Sequence, residues 1–426
     1  MARVREWLKL PYGRKLKKLH AWNAWIVLLL AVSGIVLYAP FMRGVLQEGR
    51  VWLKQVHIYL GIASIVVLLL YVPLIAKHLK QLVGKRAQQW NLGIVLIILL
   101  GWSLSGLVLW QFRHLPTHWA NAALFFHDLF TWVGVPYAVY HSISRSRWIK
   151  QDEAREKQAA ARAQRELQKR PADGEPERPT AAFDYDAYRR KMTRRTFVRL
   201  SIAGLMAAVI GPSFYRWMKA ASDTGGSALD NIAAADGNRM LPPPTPLAES
   251  AQVVGGGAKG NFRIYTVTKI PSFSSDNWHF DIGGLVDQPQ KWTWEQFLAL
   301  PRKVQVSDFH CVTGWSVYKC TWEGIPLSEL LKLAGVQPKA KYVKFYSGDG
   351  EYTDALSLEQ AHMDDVLVAV MLDGKPLPQD LGGPVRLVVP KMYAYKSVKW
   401  LQAIELIEKS HIGYWEVRGY DNDAWV

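Results

Sequence analysis

Four long apolar runs constrain this chain more than any other feature: Ala21–Tyr38, Val51–Ala76, Trp90–Trp110 and Asn121–Ser144. A helix needs about 20 predominantly apolar residues to cross a hydrocarbon core of about 30 Å, so each run is expected as one span. Lysine and arginine gather at alternate ends of these runs. Met1–Lys18 carries Arg3, Arg5, Lys9, Arg14, Lys15, Lys17 and Lys18 against a single acid, Glu6. Lys77, Lys80, Lys85 and Arg86 follow the second run, and Arg145, Arg147 and Lys150 follow the fourth. Basic flanks stay on the cytoplasmic side, so both ends of the four-span unit are expected there. The net charge of +16 raises nucleic acid as a partner, but the cations cluster beside apolar spans, which argues for lipid and against nucleic acid. The 19 tryptophans suit membrane interfaces, and two cysteines make no disulfide framework.

Ionisable groups inside spans are costly and usually functional. His20 lies at the inner start of the first run and His57 near the outer end of the second. His127 is in the outer third of the fourth run, and His141 is near its inner end. His127 and His141 share a helical face and are separated by roughly 21 Å at 1.5 Å per residue. Depth therefore pairs His57 with His127 outside and His20 with His141 inside, the arrangement that two bis-histidine haems need within a bundle. His78 rivals the inner site, and His114 and His118 fall in an outer loop that faces quinone or solvent. Carried by His20, His57, His127 and His141, the stretch Arg14–Lys150 resembles the bacterial cytochrome b561 family. The resemblance implies two haem b groups and a quinone or quinol partner.

A second seam begins at Thr193-Arg194-Arg195-Thr196-Phe197-Val198-Arg199, followed by an apolar run to about Trp217. Paired arginines ahead of an apolar helix resemble a twin-arginine (Tat) export signal, which implies a following domain that folds around a cofactor before Tat export. The plainer alternative is a set of positive-inside anchors. The chain then divides into a four-span cytochrome domain over 1–150, a charged cytoplasmic linker over 151–192 and a fifth transmembrane helix over 193–218. A flexible periplasmic tether over 219–260, rich in Gly and Pro, leads to a soluble domain over 261–426. In that domain the strand-like runs are Phe262–Thr268, Trp278–Val286, Tyr342–Ser347, Val366–Leu372 and Val385–Val389. Helices are expected over Thr293–Leu300 and Leu327–Ala334, so the class is α+β.

The soluble domain centres on Asp308-Phe309-His310-Cys311-Val312-Thr313-Gly314-Trp315-Ser316. A lone cysteine in such a loop can be a buried thiol, a nucleophile or a soft-metal ligand. Further segments are Trp322–Leu327, Asp373–Pro378, Gly383–Pro390 and Tyr393–Trp400. Together they resemble the sulfite-oxidase-fold molybdenum oxidoreductases, in particular the periplasmic methionine sulfoxide reductases, over about 160 residues. The resemblance implies Cys311 as the molybdenum ligand and a Mo-molybdopterin held by Ser347, Arg386, Ser397, Val398 and Lys399. A phosphate group wants Arg and Lys around it, which the Lys396–Lys399 loop offers. His310, Tyr393, Tyr395 and Trp315 are expected to line the substrate site. Cys320 is either a spare buried thiol or a partner for Cys311.

No cation follows Cys311 within Val312–Ser316. Desolvating a sulfur oxyanion without cationic partners is unfavourable, which points to a neutral S-oxide or N-oxide, free or protein-bound. The expected protein sits in a bacterial inner membrane with its N-terminus cytoplasmic and its molybdopterin domain periplasmic. The expected activity is oxide reduction at the expense of quinol. The alternatives are oxidation of sulfite or another sulfur compound with quinone as acceptor, and a docking cytochrome without catalysis.

Overall fold

The computed structural model describes residues 9–39, 49–144, 194–222 and 227–426, with a few isolated positions besides. It contains two compact units, Met1–His127 with Lys219–Val426, and Asp128–Met218. The linker expected over 151–192 falls almost wholly outside the described residues, as do Arg145, Arg147 and Lys150.

The four apolar runs are helices α1 (Tyr12–Tyr38), α2 (Gly49–Gln81), α3 (Arg86–Trp110) and α4 (Thr117–Ser144). Among the described residues these four are long and apolar enough to cross a membrane. Their exposed side chains, such as Leu29, Val66, Leu69 and Leu104, form the apolar surface that lipid requires. Polar groups in that setting need partners from neighbouring helices. Ser64 Oγ in α2 donates to Asn23 Oδ1 in α1 at 3.0 Å. The seam sequence forms helix α5 (Arg194–Ser222), as its pattern predicts, but it is not one of the four. Its uncharged stretch is Leu200–Tyr215, between Arg199 and Arg216. At 1.5 Å per residue this covers roughly 24 Å, so spanning the about 30 Å core requires the arginines at both ends to extend to the interfaces.

Residues expected as a loose tether pack tightly in part. Helix α6 (Ser227–Ala234) buries Leu229, and helix α7 (Ala248–Ala251) follows it. The backbone amides of Leu247 and Ala258 donate to the carboxylates of Glu323 and Asp373 at 3.0 and 2.7 Å. Glycine and proline content signalled irregular backbone here, and buried carboxylates give that backbone its hydrogen bonds.

The soluble domain opens with β1 (His279–Gly284), β2 (Gln290–Thr293), α8 (Trp294–Leu298), β3 (Lys303–His310) and β4 (Ser316–Pro326). It continues with α9 (Leu327–Ala334), β5 (Tyr342–Ser347), β6 (Thr353–Ser357) and α10 (Leu358–Ala361). Strands β7 (Leu367–Leu372), β8 (Lys375–Pro376), β9 (Arg386–Val388) and β10 (Leu401–Ile407) complete it. One five-stranded sheet runs β2-β1-β10-β5-β6, with β1 and β10 parallel; the other runs β3-β4-β7-β8, with β9 added on β7. The first packs Phe280, Ile282, Phe345 and Ile404 against Leu330 and Leu331 of α9. The second buries Val317, Trp322, Leu367 and Val388 around Phe309 and Trp315. Phe262–Thr268 does not form the expected strand; Phe262 instead packs against Phe309 and Trp315 at ring separations of 5.8 and 6.3 Å. Apolar residues there serve a loop that lies on the Cys311 hairpin.

Buried charge fixes the other end of the domain. Lys396 donates to Asp354 at 2.8 Å, and to Glu416 and the Asn422 side chain. Removing one partner of a buried ion pair strands the others without solvation. Lys396→Met therefore lowers stability by about 3–5 kcal/mol. Burial already raises the Asp354 carboxyl to about 7, and loss of the ammonium raises it further, so the loss is smaller at pH 5, where Asp354 is protonated, than at pH 8. Denaturant unfolding of the full chain at both pH values checks this, and an equal loss at the two overturns it.

Candidate active site

Cys311 sits at the tip of the β3–β4 hairpin. Its N–H donates to the Trp315 carbonyl and its own carbonyl accepts from Gly314 N–H, both at 2.9 Å. Gly314 has φ +93°, and a Cβ there would lie 2.9 Å from the Leu109 side chain of α3. Only glycine closes this turn under that helix end. Thr313 Oγ1 lies 3.2 Å from Cys311 Sγ. Burial pushes the Cys311 thiol up, while the Thr313 hydrogen bonds and the charges of Arg50 and Lys54 pull it down.

His310 precedes it, with Nδ1 2.8 Å from Ser316 Oγ across the hairpin. Burial lowers its pKa, against a raising influence of Asp308. The His310 carbonyl accepts from Ala394 N–H at 2.8 Å, which ties the Tyr393–Tyr395 loop to the cysteine strand. Tyr393 is buried edge-on against Phe112, 5.5 Å between ring centres. The Tyr395 hydroxyl is spent on the Asp421 carbonyl at 2.7 Å, so it braces the C-terminal segment.

The loops that carry Ser347 and Lys399 meet where Gly348 N–H donates to the Trp400 carbonyl at 2.6 Å. Lys399 is half-buried and its ammonium donates to the Tyr265 carbonyl. Burial pushes its pKa down to about 7, with Arg386 lowering it further and Asp349, Asp380 and Cys311 opposing. The Tyr265 ring stacks on Trp315, 6.5 Å and 13° apart, so Lys399, Tyr265, Trp315 and Cys311 form one contiguous group. The Trp315 indole N–H is buried and has no hydrogen-bond partner among the described residues.

Arg386 is placed differently from a phosphate-facing cation. It is 3% exposed and donates to the Leu381, Ser397 and Leu387 carbonyls at 2.6, 3.1 and 3.4 Å. It thereby fixes the loop that bears Ser397, Val398 and Lys399. Ser397 Oγ accepts from Val389 N–H at 3.0 Å, and Val398 is fully buried. Lys396, which the sequence offers beside Lys399, is committed to its two carboxylates. Cys311 and Cys320 are both free thiols, and Cys320 is wholly buried, which corrects the expected alternative of a pair.

Three cations escaped the sequence reading. Arg50, in the first turn of α2, lies over the Tyr265 ring at 4.3 Å. Lys54, one turn on, and Arg113, after α3, complete the set; Arg113 pairs with Asp421 at 3.4 Å. A signal was present, because these cations sit at helix ends where the positive-inside rule disfavours them.

The histidines of the spans are also placed. His57 and His127 are T-shaped to each other with ring centres 6.3 Å apart. Ser33 Oγ and Ser105 Oγ lie 2.8 and 2.9 Å from their respective Nδ1 atoms. The glycines following those serines face the same rings: a Cβ at Gly34 would lie 3.2 Å from His57 and one at Gly106 3.7 Å from His127. His78 Nδ1 is taken by the Tyr71 hydroxyl at 2.8 Å. His20 lies in α1, and His141 is in the last turn of α4, against Tyr137. Among the described residues no three His, Cys, Asp or Glu side chains gather as a metal cluster.

Residues 267–415 match the oxidoreductase molybdopterin binding domain family. The chain is similar to the uncharacterized oxidoreductase YuiH of Bacillus subtilis, 37% identical over 39% of this chain and 84% of that one. It is also similar to two protein-methionine-sulfoxide reductase catalytic subunits named MsrP. That of Xanthomonas axonopodis is 34% identical over 31% of this chain and 45% of its own, and that of Campylobacter jejuni is 30% identical over 35% and 56%. The chain thus spans about half the length of those two subunits. With its match over 267–415 and most of YuiH covered, this chain belongs to the molybdopterin-binding oxidoreductase family and is a molybdopterin oxidoreductase.

Proposed function

We propose that this protein is a membrane-bound oxidoreductase that links the quinone pool to a periplasmic substrate and reduces an S-oxide such as methionine sulfoxide. In this reading quinol gives up two electrons and two protons, the sulfoxide leaves as the sulfide, and its oxygen leaves as water. The observation that carries it is the position of Cys311 against the ends of α2 and α3. The soluble domain meets these helices through Arg50, Leu109, Phe112 and Arg113, opposite the ends that carry Lys77, Lys80, Lys85 and Arg86. That arrangement supports a periplasmic active site and cytoplasmic basic loops. Export by the twin-arginine route, with α5 as a fifth span, belongs to the same reading, as does the sulfite-oxidase-like fold.

The residues fit a Mo-molybdopterin: a thiol for the soft metal at Cys311 and a half-buried ammonium at Lys399 beside it. When bound, the cofactor supplies the two-electron exchange of an oxygen atom. Cys311 would ligate it, with Thr313 Oγ1 beside the sulfur. Ser347, Ser397, Val398 and Lys399 would hold its organic part, and Arg386 fixes the loop of the last three through the Leu381, Leu387 and Ser397 carbonyls. His310 and Tyr393 would flank the substrate, and Tyr395 braces the C-terminal segment through the Asp421 carbonyl.

The outer histidine pair fits a haem b. A metal–imidazole bond is about 2.0–2.1 Å and the nitrogen lies about 1 Å from the ring centre, so bis-imidazole ligation puts ring centres roughly 6 Å apart. His57 and His127 meet that spacing, and their serine partners fix the tautomer that ligates through Nε2. The inner haem, on His20 and His141, rests on their depth alone.

Two experiments test these assignments. Chemically reduced full-length protein is reoxidised by methionine sulfoxide, followed in the haem b absorption, and Cys311→Ser abolishes the reaction. A wild type that does not respond, or a variant that still does, sinks the reading. Separately, His57→Ala with His127→Ala lowers the haem content from two per chain to one in a pyridine haemochrome assay; an unchanged content refutes the outer site.

A further inference from the structure

Among catalytic loops that handle sulfur oxyanions, a nearby cation offsets the desolvation of the anion. The loop Val312–Ser316 has none, which on sequence alone favours an uncharged substrate. The fold changes that conclusion by bringing cations from 260 residues away. Arg50 and Lys54 are one helical turn apart on α2, so they project from the same face. Arg50 covers Tyr265, and Tyr265 stacks on Trp315, which hydrogen-bonds Cys311 through its carbonyl. Lys54 is half-buried, and neither cation pairs with a carboxylate among the described residues. A lysine at this depth of an apolar helix is expensive unless it has a task. The buried Trp315 N–H in the same stack is a donor without an acceptor.

We propose that Arg50 and Lys54 of the membrane helix, with the Trp315 N–H, form an anion-recognising wall of the active site. The substrate then carries an oxyanion beside its reacting sulfur. The inference rests on Cys311 marking the reactive centre. Two sources offer that chemistry: a sulfur oxyanion itself, or an organic sulfoxide bearing a carboxylate.

Sulfate and dimethyl sulfone serve as unreactive probes, one anionic and one neutral, in calorimetry on the full-length holoprotein in nanodiscs. Sulfate binds the wild type, and Arg50→Gln with Lys54→Gln weakens it at least tenfold while the sulfone is unaffected. Arg50→Lys with Lys54→Arg retains the charge and keeps sulfate binding within about threefold. In turnover, the same Gln pair raises KM for sulfite oxidation if the oxyanion is the substrate. It raises KM for methionine sulfoxide, and not for dimethyl sulfoxide, if the carboxylate is what is read. The proposal is overturned by absent sulfate binding in the wild type, or by equal effects on charged and neutral ligands. Loss of molybdenum from the Gln pair also overturns it, since the cations would then serve the cofactor. Activity that survives Cys311→Ser refutes instead the underlying assignment of the centre.

Discussion

A guanidinium without a carboxylate holds the soluble domain together. Arg386 is wholly enclosed, with its donors on three carbonyls and its face between Phe309 and Trp322 at 4.7 and 5.8 Å. Burial lowers its pKa to about 10, which still leaves it charged at neutral pH. A buried cation satisfied by carbonyl dipoles and aromatic faces needs every one of those partners, because each lost contact leaves charge unsolvated. The partners come from the cysteine hairpin, the 378–382 turn and the loop bearing Lys399. One residue therefore sets the register between three segments that are far apart in sequence.

The same need for partners governs the membrane half. Ser33 and Ser105 each hold a histidine Nδ1 and also return a bond to the backbone of their own helix, at 2.7 Å to the Leu29 carbonyl and 2.6 Å to Gly101. Each is followed by a glycine that lets the imidazole approach. This Ser-Gly pair, repeated on α1 and α3, fixes two rings at one depth.

Much of this was legible in the sequence, and the failures have physical causes. Spans are set by composition alone, and β5, β7 and α9 follow from short apolar runs between turns. The hairpin strands β3 and β4 escaped because polar residues interrupt them: Lys319 and Thr321 break the alternation, yet Thr321 is wholly buried beside Asp373. Phe262–Thr268 failed in the opposite sense, as its apolar residues cover a loop and make no strand ladder. Cys311 was found because motif residues surround it in sequence. Arg50 and Lys54 were not, since only the fold brings them to it.

The same placement gives a physical reason for a set of apolar helices and an oxidoreductase domain to share one chain. Lys54 and His57 are three residues apart, roughly 4.5 Å along a rigid helix axis. In the proposed arrangement the wall that reads substrate charge and a ligand of the outer haem are thus parts of one element. A separate membrane subunit would have to recreate the approach of that element to Cys311 across a dissociable interface at each encounter. Fusion makes it a covalent constant, held further by the Arg113–Asp421 pair and the Phe112–Tyr393 contact on either side. The exposed ion pair adds little energy by itself. The aromatic contact and the close fit of Gly314 under Leu109 supply the shape that keeps the helix end on the cysteine loop.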